Sequence, residues 1–420
     1  MLDKLLQHRK YLINLSSTFA SQAATALAII VLTPVLVANL GEEKFNIYGV
    51  LLNLIMFSMA FDFSLNTTLV RRLILYPNRS SESVNTVFNF FLLILLVSLP
   101  IYYLIFLFQW VHVQGNQCIM ALLIGMVVVQ NILAVMFESV MQSVNHWKDA
   151  KLIRVGRTLL ETGLLYWVSR YGKVEYLLFV SAGTNFIYLI TLYFFAQKHV
   201  PFQLQIGKLK ASLLFVQLKD SFWYFQNAFA SVLIFNFQVI LMSHLLTAAE
   251  MTIYLLVIRF YEVIRTGLTN FAALLFPSIT LQQKEGNWKQ LLQYYQKTIL
   301  RLGLLVVATM SLVLLVGDDV FVFWSGSGSA AALSLFFVYG IYVTVLIIDN
   351  ATVVFLSALK FNRNSAIVSN IEAVILLILT YFLIQRYGLI GSAYASLLAF
   401  MLTSFWYDPF YLCRRLRKLA

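Results

Sequence analysis

The chain has 420 residues, 60% of them hydrophobic and only 11% charged, with 30 Lys and Arg against 18 Asp and Glu for a net charge of +12, and its mean hydropathy is +0.81. A soluble domain carries about 25% charged residues, so the composition excludes a soluble enzyme or binding domain and requires an integral membrane protein. The excess positive charge lies in loops beside apolar runs, which points to anionic lipid headgroups and not to nucleic acid.

The polar segment Met1 to Lys10 runs into a long apolar stretch with no small-residue cleavage site, and reads as retained rather than as a signal peptide. A spanning helix needs about 20 mostly apolar residues. Apolar runs predict twelve, near 11–40, 45–70, 84–110, 116–145, 150–169, 176–196, 219–246, 250–281, 294–316, 329–358, 365–385 and 389–412. Pro34 and Pro277 are expected to kink or end their helices. The longest connection, 197–218, is basic and suits a surface helix; no loop is long enough for a soluble catalytic domain. The predicted fold is therefore all-α and membrane-embedded, with an N-terminal six-helix bundle over 1–197, a basic cytoplasmic linker over 198–218 and a C-terminal six-helix bundle over 219–420.

The basic residues sort by side. Twenty-two lie on one face of this topology, among them Arg71, Arg72, Lys151, Arg154, Lys208, Lys210 and Arg414, and four on the other: Lys44, Arg170, Lys173 and Arg386. Short cytoplasmic loops are enriched in Lys and Arg, so both termini are expected in the cytoplasm. Cys118 and Cys413 then fall at opposite membrane faces, and no disulfide is expected.

The halves carry a weak repeat. Arg170-Tyr171-Gly172 closes the fifth span and Arg386-Tyr387-Gly388 the eleventh, and Tyr48 and Tyr254 sit at matching depth in spans two and eight. Two halves of even span number have the same orientation, and such parallel repeats place a substrate cavity between them.

Ionisable residues inside the membrane are costly and usually face the bundle interior or a water-filled cavity. Span eight holds Arg259, Glu262 and Arg265, spaced so that Glu262 is within reach of both arginines. At about 1.5 Å per residue, the arginines lie roughly 13 and 22 Å from the outer end. They read as lining a cavity or as pairing between helices. Arg157 and Glu161 in span five form either a self-neutralising pair or part of the site. Arg301 snorkels to the surface. Asp62, Glu138 and Glu372 read as locks between helices or to the basic loops, and Asp349 is a single acid in span ten. Spans one and seven are unusually polar, with Asn14 and Gln22 in the first and Asn236 and Gln238 in the second as candidate cavity residues. No Walker A sequence is present. His8, His112, His146, His199 and His244 are scattered, with none paired at metal-ligand spacing, so no metal site is expected.

The turn Gly41-Glu42-Glu43-Lys44-Phe45-Asn46-Ile47-Tyr48-Gly49, the stretch Ala60-Phe61-Asp62-Phe63-Ser64-Leu65 and the opening of the last span at Tyr387-Gly388-Leu389-Ile390-Gly391-Ser392-Ala393 resemble the polysaccharide transporters of the multidrug/oligosaccharidyl-lipid/polysaccharide (MOP) exporter superfamily, along essentially the whole chain. The resemblance implies a flippase of the bacterial inner membrane. Its substrate would be an undecaprenyl-diphosphate-linked oligosaccharide repeat unit of O-antigen, capsule or a related surface polysaccharide. The unit would pass from the cytoplasmic to the periplasmic leaflet by ion-coupled alternating access, with a polysaccharide polymerase and chain-length machinery as partners. Related lipid-carrier flippases place arginines on their first two spans and often an acid in the seventh; here span one has none, span two has only Arg71 and Arg72 at its cytoplasmic end, and span seven has Asn236 and Gln238, which leaves Asp62, Glu262 and Asp349 as the candidates for coupling to H+ or Na+. Competing readings are a drug/cation antiporter of the same superfamily, which calls for an acidic cavity; a peptidoglycan-precursor flippase, which usually has extra helices; a membrane glycosyltransferase or ligase, which calls for larger external loops; and a non-transporting scaffold.

Overall fold

A computed structural model describes residues 2–108, 116–144, 146–273, 275, 279, 282–283, 286, 288–326, 328–359 and 361–419, with the side chains of 2–15 and 270–273 outside that description. Its regular structure is all helical, and it resolves into two compact units, 1–225 and 226–420. Among the described residues nine segments are long and apolar enough to cross a membrane.

The first unit opens with α1 (Leu2–Met59), two arms joined at Gly41, whose φ of 75° and ψ of 167° only glycine adopts readily. The helix runs on through Pro34, so the expected proline kink is displaced to Gly41. The second arm does not continue to residue 70 as predicted. It tightens into a 3-10 turn at Ala60–Asp62, passes through Phe63 and Ser64 in left-handed conformation, and resumes as α2 (Leu65–Leu75). Then follow α3 (Ser80–Leu107), α4 (Gln117–Ser143), α5 (Trp147–Val168) and α6 (Val174–His199). The first arm lies along α5, tied by Trp147 Nε1 to Thr18 Oγ1 at 3.1 Å and, at the other end, by Asn39 Nδ2 to Ser169 Oγ at 2.7 Å and Lys44 Nζ to the Gly172 carbonyl at 2.9 Å. α4 is the most buried helix of this unit and packs on α2, α3 and α6.

The basic connection after α6 is not the surface helix its composition suits. Residues 200–210 are extended along α3. Asn85 and Asn89, one turn apart and buried, each bond the passing backbone with both amide functions. Asn85 donates to the Gln203 carbonyl at 2.7 Å and accepts from Gln205 N at 2.7 Å; Asn89 donates to the Gln205 carbonyl at 2.9 Å and accepts from Gly207 N at 2.7 Å. These bonds outcompete local helix formation, which Pro201 already disfavours at the preceding residue.

α7 (Ala211–Val232) carries the chain into the second unit, where Leu233–Phe237 form a π-helical turn before α8 (Gln238–Met242). α9 (Ala248–Ala273), α10 (Trp288–Ser325), α11 (Ala330–Ala358) and α12 (Asn362–Tyr387) follow. The last predicted span is broken at Thr403 into α13 (Ile390–Leu402) and α14 (Ser404–Leu419). Here α11 packs on α9, α10 and α13, and the π turn and α8 pack on α12. Each unit thus sets its fourth long helix against its second, third and sixth, and its first against its fifth. Each Arg-Tyr-Gly triplet ends a helix at a glycine of positive φ, but the two glycines differ in conformation: Gly172 has φ 62° and ψ 27°, Gly388 φ 61° and ψ −142°. Both cysteines are free. Pro277 lies outside the described residues.

Candidate functional site

In the second unit, the charged face of α9 divides its labour. Glu262 pairs with Arg259, Oε2 to Nη1 at 2.6 Å, and both are half-buried. Arg265 is left without an ion-pair partner among the described residues. Its guanidinium lies over the ring of Phe235, 4.2 Å from the centroid. Phe235 belongs to the π turn, so the irregular helix directly supports the uncompensated arginine. π turns of this kind occur frequently at functional sites. Stacking uses the face of the guanidinium and leaves its in-plane N–H donors available to fork onto phosphate or carboxylate. Tyr339 and Tyr342 of α11, both buried, lie within its electrostatic reach.

The other polar residues of this region are placed differently from one another. Asn236 is half-buried in the π turn. Gln238, predicted as a cavity residue, is only 4% exposed, and its amide is engaged: Nε2 bonds Thr380 Oγ1 at 3.1 Å and Ser396 Oγ at 3.3 Å, while Oε1 accepts from the Tyr254 hydroxyl at 3.5 Å. It fastens α8 to α9, α12 and α13.

A second feature of this unit is a group of three buried carboxylates without a cation partner among the described residues. Asp349 of α11 lies within electrostatic reach of Asp408 on α14 and Glu372 on α12. Glu372 accepts hydrogen bonds from the hydroxyls of Thr403, at 3.1 Å, and Ser404, so it caps the break between α13 and α14. Asp408 accepts from Ser365 Oγ at 3.4 Å. Asp349 Oδ1 and Asp408 Oδ1 are buried with no hydrogen-bond partner. Sequence reasoning named Asp349 and Glu372 but missed Asp408, although the last predicted span, 389–412, contains it; its proximity to the other two acids depends on packing between helices.

In the first unit, Arg157 and Glu161 form the expected i, i+4 pair at 2.9 Å, with Arg157 also 5.5 Å from the Tyr188 ring centroid. One turn back lies a network around Glu138, the acid expected to lock helices together or to the basic loops. Lys151 and Arg154, counted among the basic residues of one membrane face, both reach Glu138 of α4, at 3.3 and 2.5 Å, and Tyr188 of α6 donates to the same carboxylate. Two bases and one acid, with the Arg157–Glu161 pair beside them, leave this face of α5 net positive. Asp62 is occupied in the backbone break: Oδ1 accepts from Ser64 N at 2.7 Å and Oδ2 from Asn66 Nδ2 at 2.9 Å. It holds the left-handed residues in place. Gln22 is half-buried on the first arm of α1, beside buried Ser17 and Ser21. The side chain of Asn14 lies outside the described residues. Arg301 is exposed on α10, as the snorkelling reading expects.

The histidines correct an expectation. His146 and His199, unpaired in sequence, stack with ring centroids 3.6 Å apart.

No protein-family model matches the chain, and no curated protein matches it in sequence. Solved structures do. This chain has the fold of the MOP transporters. An inward-facing multidrug resistance transporter of the MATE family in that superfamily aligns over 94% of this chain and 96% of its own, with a TM-score of 0.75 at 12% identity. The lipid II flippase MurJ, in an inward closed conformation, aligns over 97% of this chain and 90% of its own, with a TM-score of 0.68 at 14% identity. A MOP superfamily transporter from Pyrococcus furiosus, described as having a binding pocket of reversed polarity that suggests a different function, aligns over 98% and 96%, with a TM-score of 0.62 at 13% identity. The fold is thus a multi-pass membrane fold otherwise seen in transporters.

Proposed function

We propose that the chain is a flippase for undecaprenyl-diphosphate-linked oligosaccharide repeat units of a surface polysaccharide, in the inner membrane of a bacterium. Twelve spans serve it: the nine apolar segments, the first of which counts twice because Gly41 divides it, and α5 and α9, which are long enough but too charged to qualify on hydropathy. Six belong to each half of the chain, with 198–218 as the basic connection and both termini cytoplasmic. Polymerase and chain-length machinery would receive the flipped unit.

Arg265 carries the reading. A diphosphate bearing sugars is anionic and cannot cross hydrocarbon unaided, and an arginine with its donors free, set at the depth of the bilayer, offers it charge-assisted hydrogen bonds. Within its own unit each of the pairs Arg259–Glu262 and Arg157–Glu161 offers a further arginine near the anion's charge. Asn236, Gln22 and Asn14 supply neutral contacts for sugar hydroxyls. MurJ, a flippase of lipid II, shares the fold.

The acid group of Asp349, Glu372 and Asp408 supports ion coupling. Three carboxylates in an apolar surround cannot all stay charged without a counter-ion, so a proton or Na+ sits among them and its release drives the cycle. Asp349 is the principal coupling residue. The same acids favour a second reading, export of a cationic drug by antiport, since organic cations bind at buried carboxylates.

The deciding experiment is extraction of lipid-linked intermediates from cells lacking the protein. Accumulation of the undecaprenyl-linked repeat on the cytoplasmic side, with loss of surface polysaccharide, is expected. Unchanged polysaccharide and no intermediate, together with increased sensitivity to cationic dyes, would replace the flippase reading with the antiporter.

A further inference from the structure

Where α5 begins and α6 stops, three side chains with metal-ligating atoms converge. The imidazoles of His146 and His199 stack at 3.6 Å with an interplanar angle of 19°. Asp149, in the first turn of α5, places Oδ2 3.1 Å from His146 Nδ1. One ligand atom from each of the three lies within 4.8 Å of the others. The side chains of His146 and Asp149 are 44% and 35% exposed, so an ion can reach them from water.

We propose that His146, Asp149 and His199 form a binding site for a divalent transition-metal ion of the Zn2+ class. Two imidazole nitrogens and one carboxylate oxygen are the donor set that borderline cations such as Zn2+ prefer, whereas Mg2+ and Ca2+ favour all-oxygen surroundings. With metal–ligand bonds of about 2.0–2.1 Å, tetrahedral donors stand roughly 3.3 Å apart. The ligand atoms here, within 4.8 Å of one another, need to contract by up to about 1.5 Å, and the stacked rings must turn so that one nitrogen of each faces the ion, both within the reach of side-chain rotation. Three protein ligands leave a fourth position for water.

The site has a mechanical consequence. His146 precedes α5, and His199 is the last residue of α6. An ion shared by them pins the two helix ends together just before Val200, where the chain turns into the extended segment held by Asn85 and Asn89. Metal occupancy therefore braces the end of α6, where the chain leaves it for the connecting segment. Lys148 and Lys198 flank the site in sequence and are exposed; their charge weakens the affinity without blocking the donors.

The test uses the full chain, purified without a polyhistidine tag, stripped with chelator and titrated with Zn2+ alone. One saturable equivalent per chain and a rise in melting temperature are expected, with neither produced by Mg2+. Co2+ in place of Zn2+ should give visible absorption bands of a nitrogen- and oxygen-ligated ion. His146→Ala and His199→Ala should each weaken Zn2+ binding roughly tenfold or more, a loss at least as large as that of removing a residue that only orients a ligand. His199→Gln, which keeps volume and polarity, should weaken it as much while its metal-free melting temperature stays that of the unaltered protein. No saturable uptake, or uptake that persists unchanged in the double His146→Ala/His199→Ala variant, would overturn the proposal.

Discussion

Arg265 and Arg259 differ by six positions on one helix, yet their surroundings separate them: one is neutralised by Glu262, the other rests on Phe235. That difference predicts unequal consequences. Arg265→Ala should reduce export of the lipid-linked unit at least about tenfold, the loss of one charged hydrogen-bond donor worth about 1.5–3 kcal/mol, while the amount of protein in the membrane stays normal. Arg265→Lys, which keeps the charge but not the planar fork, should restore part of it. Quantifying surface polysaccharide against protein abundance checks both, and full export from Arg265→Ala would remove the basis of the flippase reading. Sequence spacing showed three charges on α9. It could not show which arginine the acid takes, because an acid at i+3 from one and i−3 from the other is equally close to both. The same limit left the partners of Glu138 unspecified; they are Lys151 and Arg154, whose long side chains reach back to it from the beginning of α5.

Helix breaks are where the sequence was least legible. The second predicted span is interrupted at Ala60–Ser64 and the last at Thr403, and at each break a carboxylate takes up backbone or hydroxyl donors: Asp62 in the first, Glu372 in the second. An interrupted helix inside a membrane survives only if its freed polar groups find partners, so acids that looked like coupling or locking residues are partly accounted for by this task. Glycine positions give a sharper test of element packing. A Cβ at Gly391 would lie 2.2 Å from the Leu383 carbonyl oxygen, where α12 and α13 approach closely. At Gly41 the space is open but the backbone, at φ 75°, is strained for any other residue. Gly391→Ala should therefore lower the melting temperature of the solubilised protein through overpacking that costs about 1–3 kcal/mol or more, and Gly41→Ala by about 1–3 kcal/mol through backbone strain alone. An unchanged melting temperature for Gly391→Ala would mean that α12 and α13 do not pack as described.

At the scale of the whole molecule, the distribution of Lys and Arg sets orientation. A fluorescent protein fused after Ala420 should be bright, as expected of a cytoplasmic terminus, while alkaline phosphatase inserted after Lys173 should be active outside; the reverse pattern would invert the topology. Composition and the lengths of the apolar runs are properties summed along the chain, so the sequence by itself determined that this is a helical, multi-pass membrane protein. The two Arg-Tyr-Gly triplets even marked helix ends in both halves. Pairings between distant residues are another matter, since spacing constrains only neighbours on one helix. Only the tertiary structure decided that Arg265 rests on the π turn, that Asp408 joins Asp349 and Glu372, that Asn85 and Asn89 hold the connecting segment extended, and that His146 meets His199. Each depends on which faces of separate helices are pressed together, and that is fixed by packing across the fold rather than by local sequence.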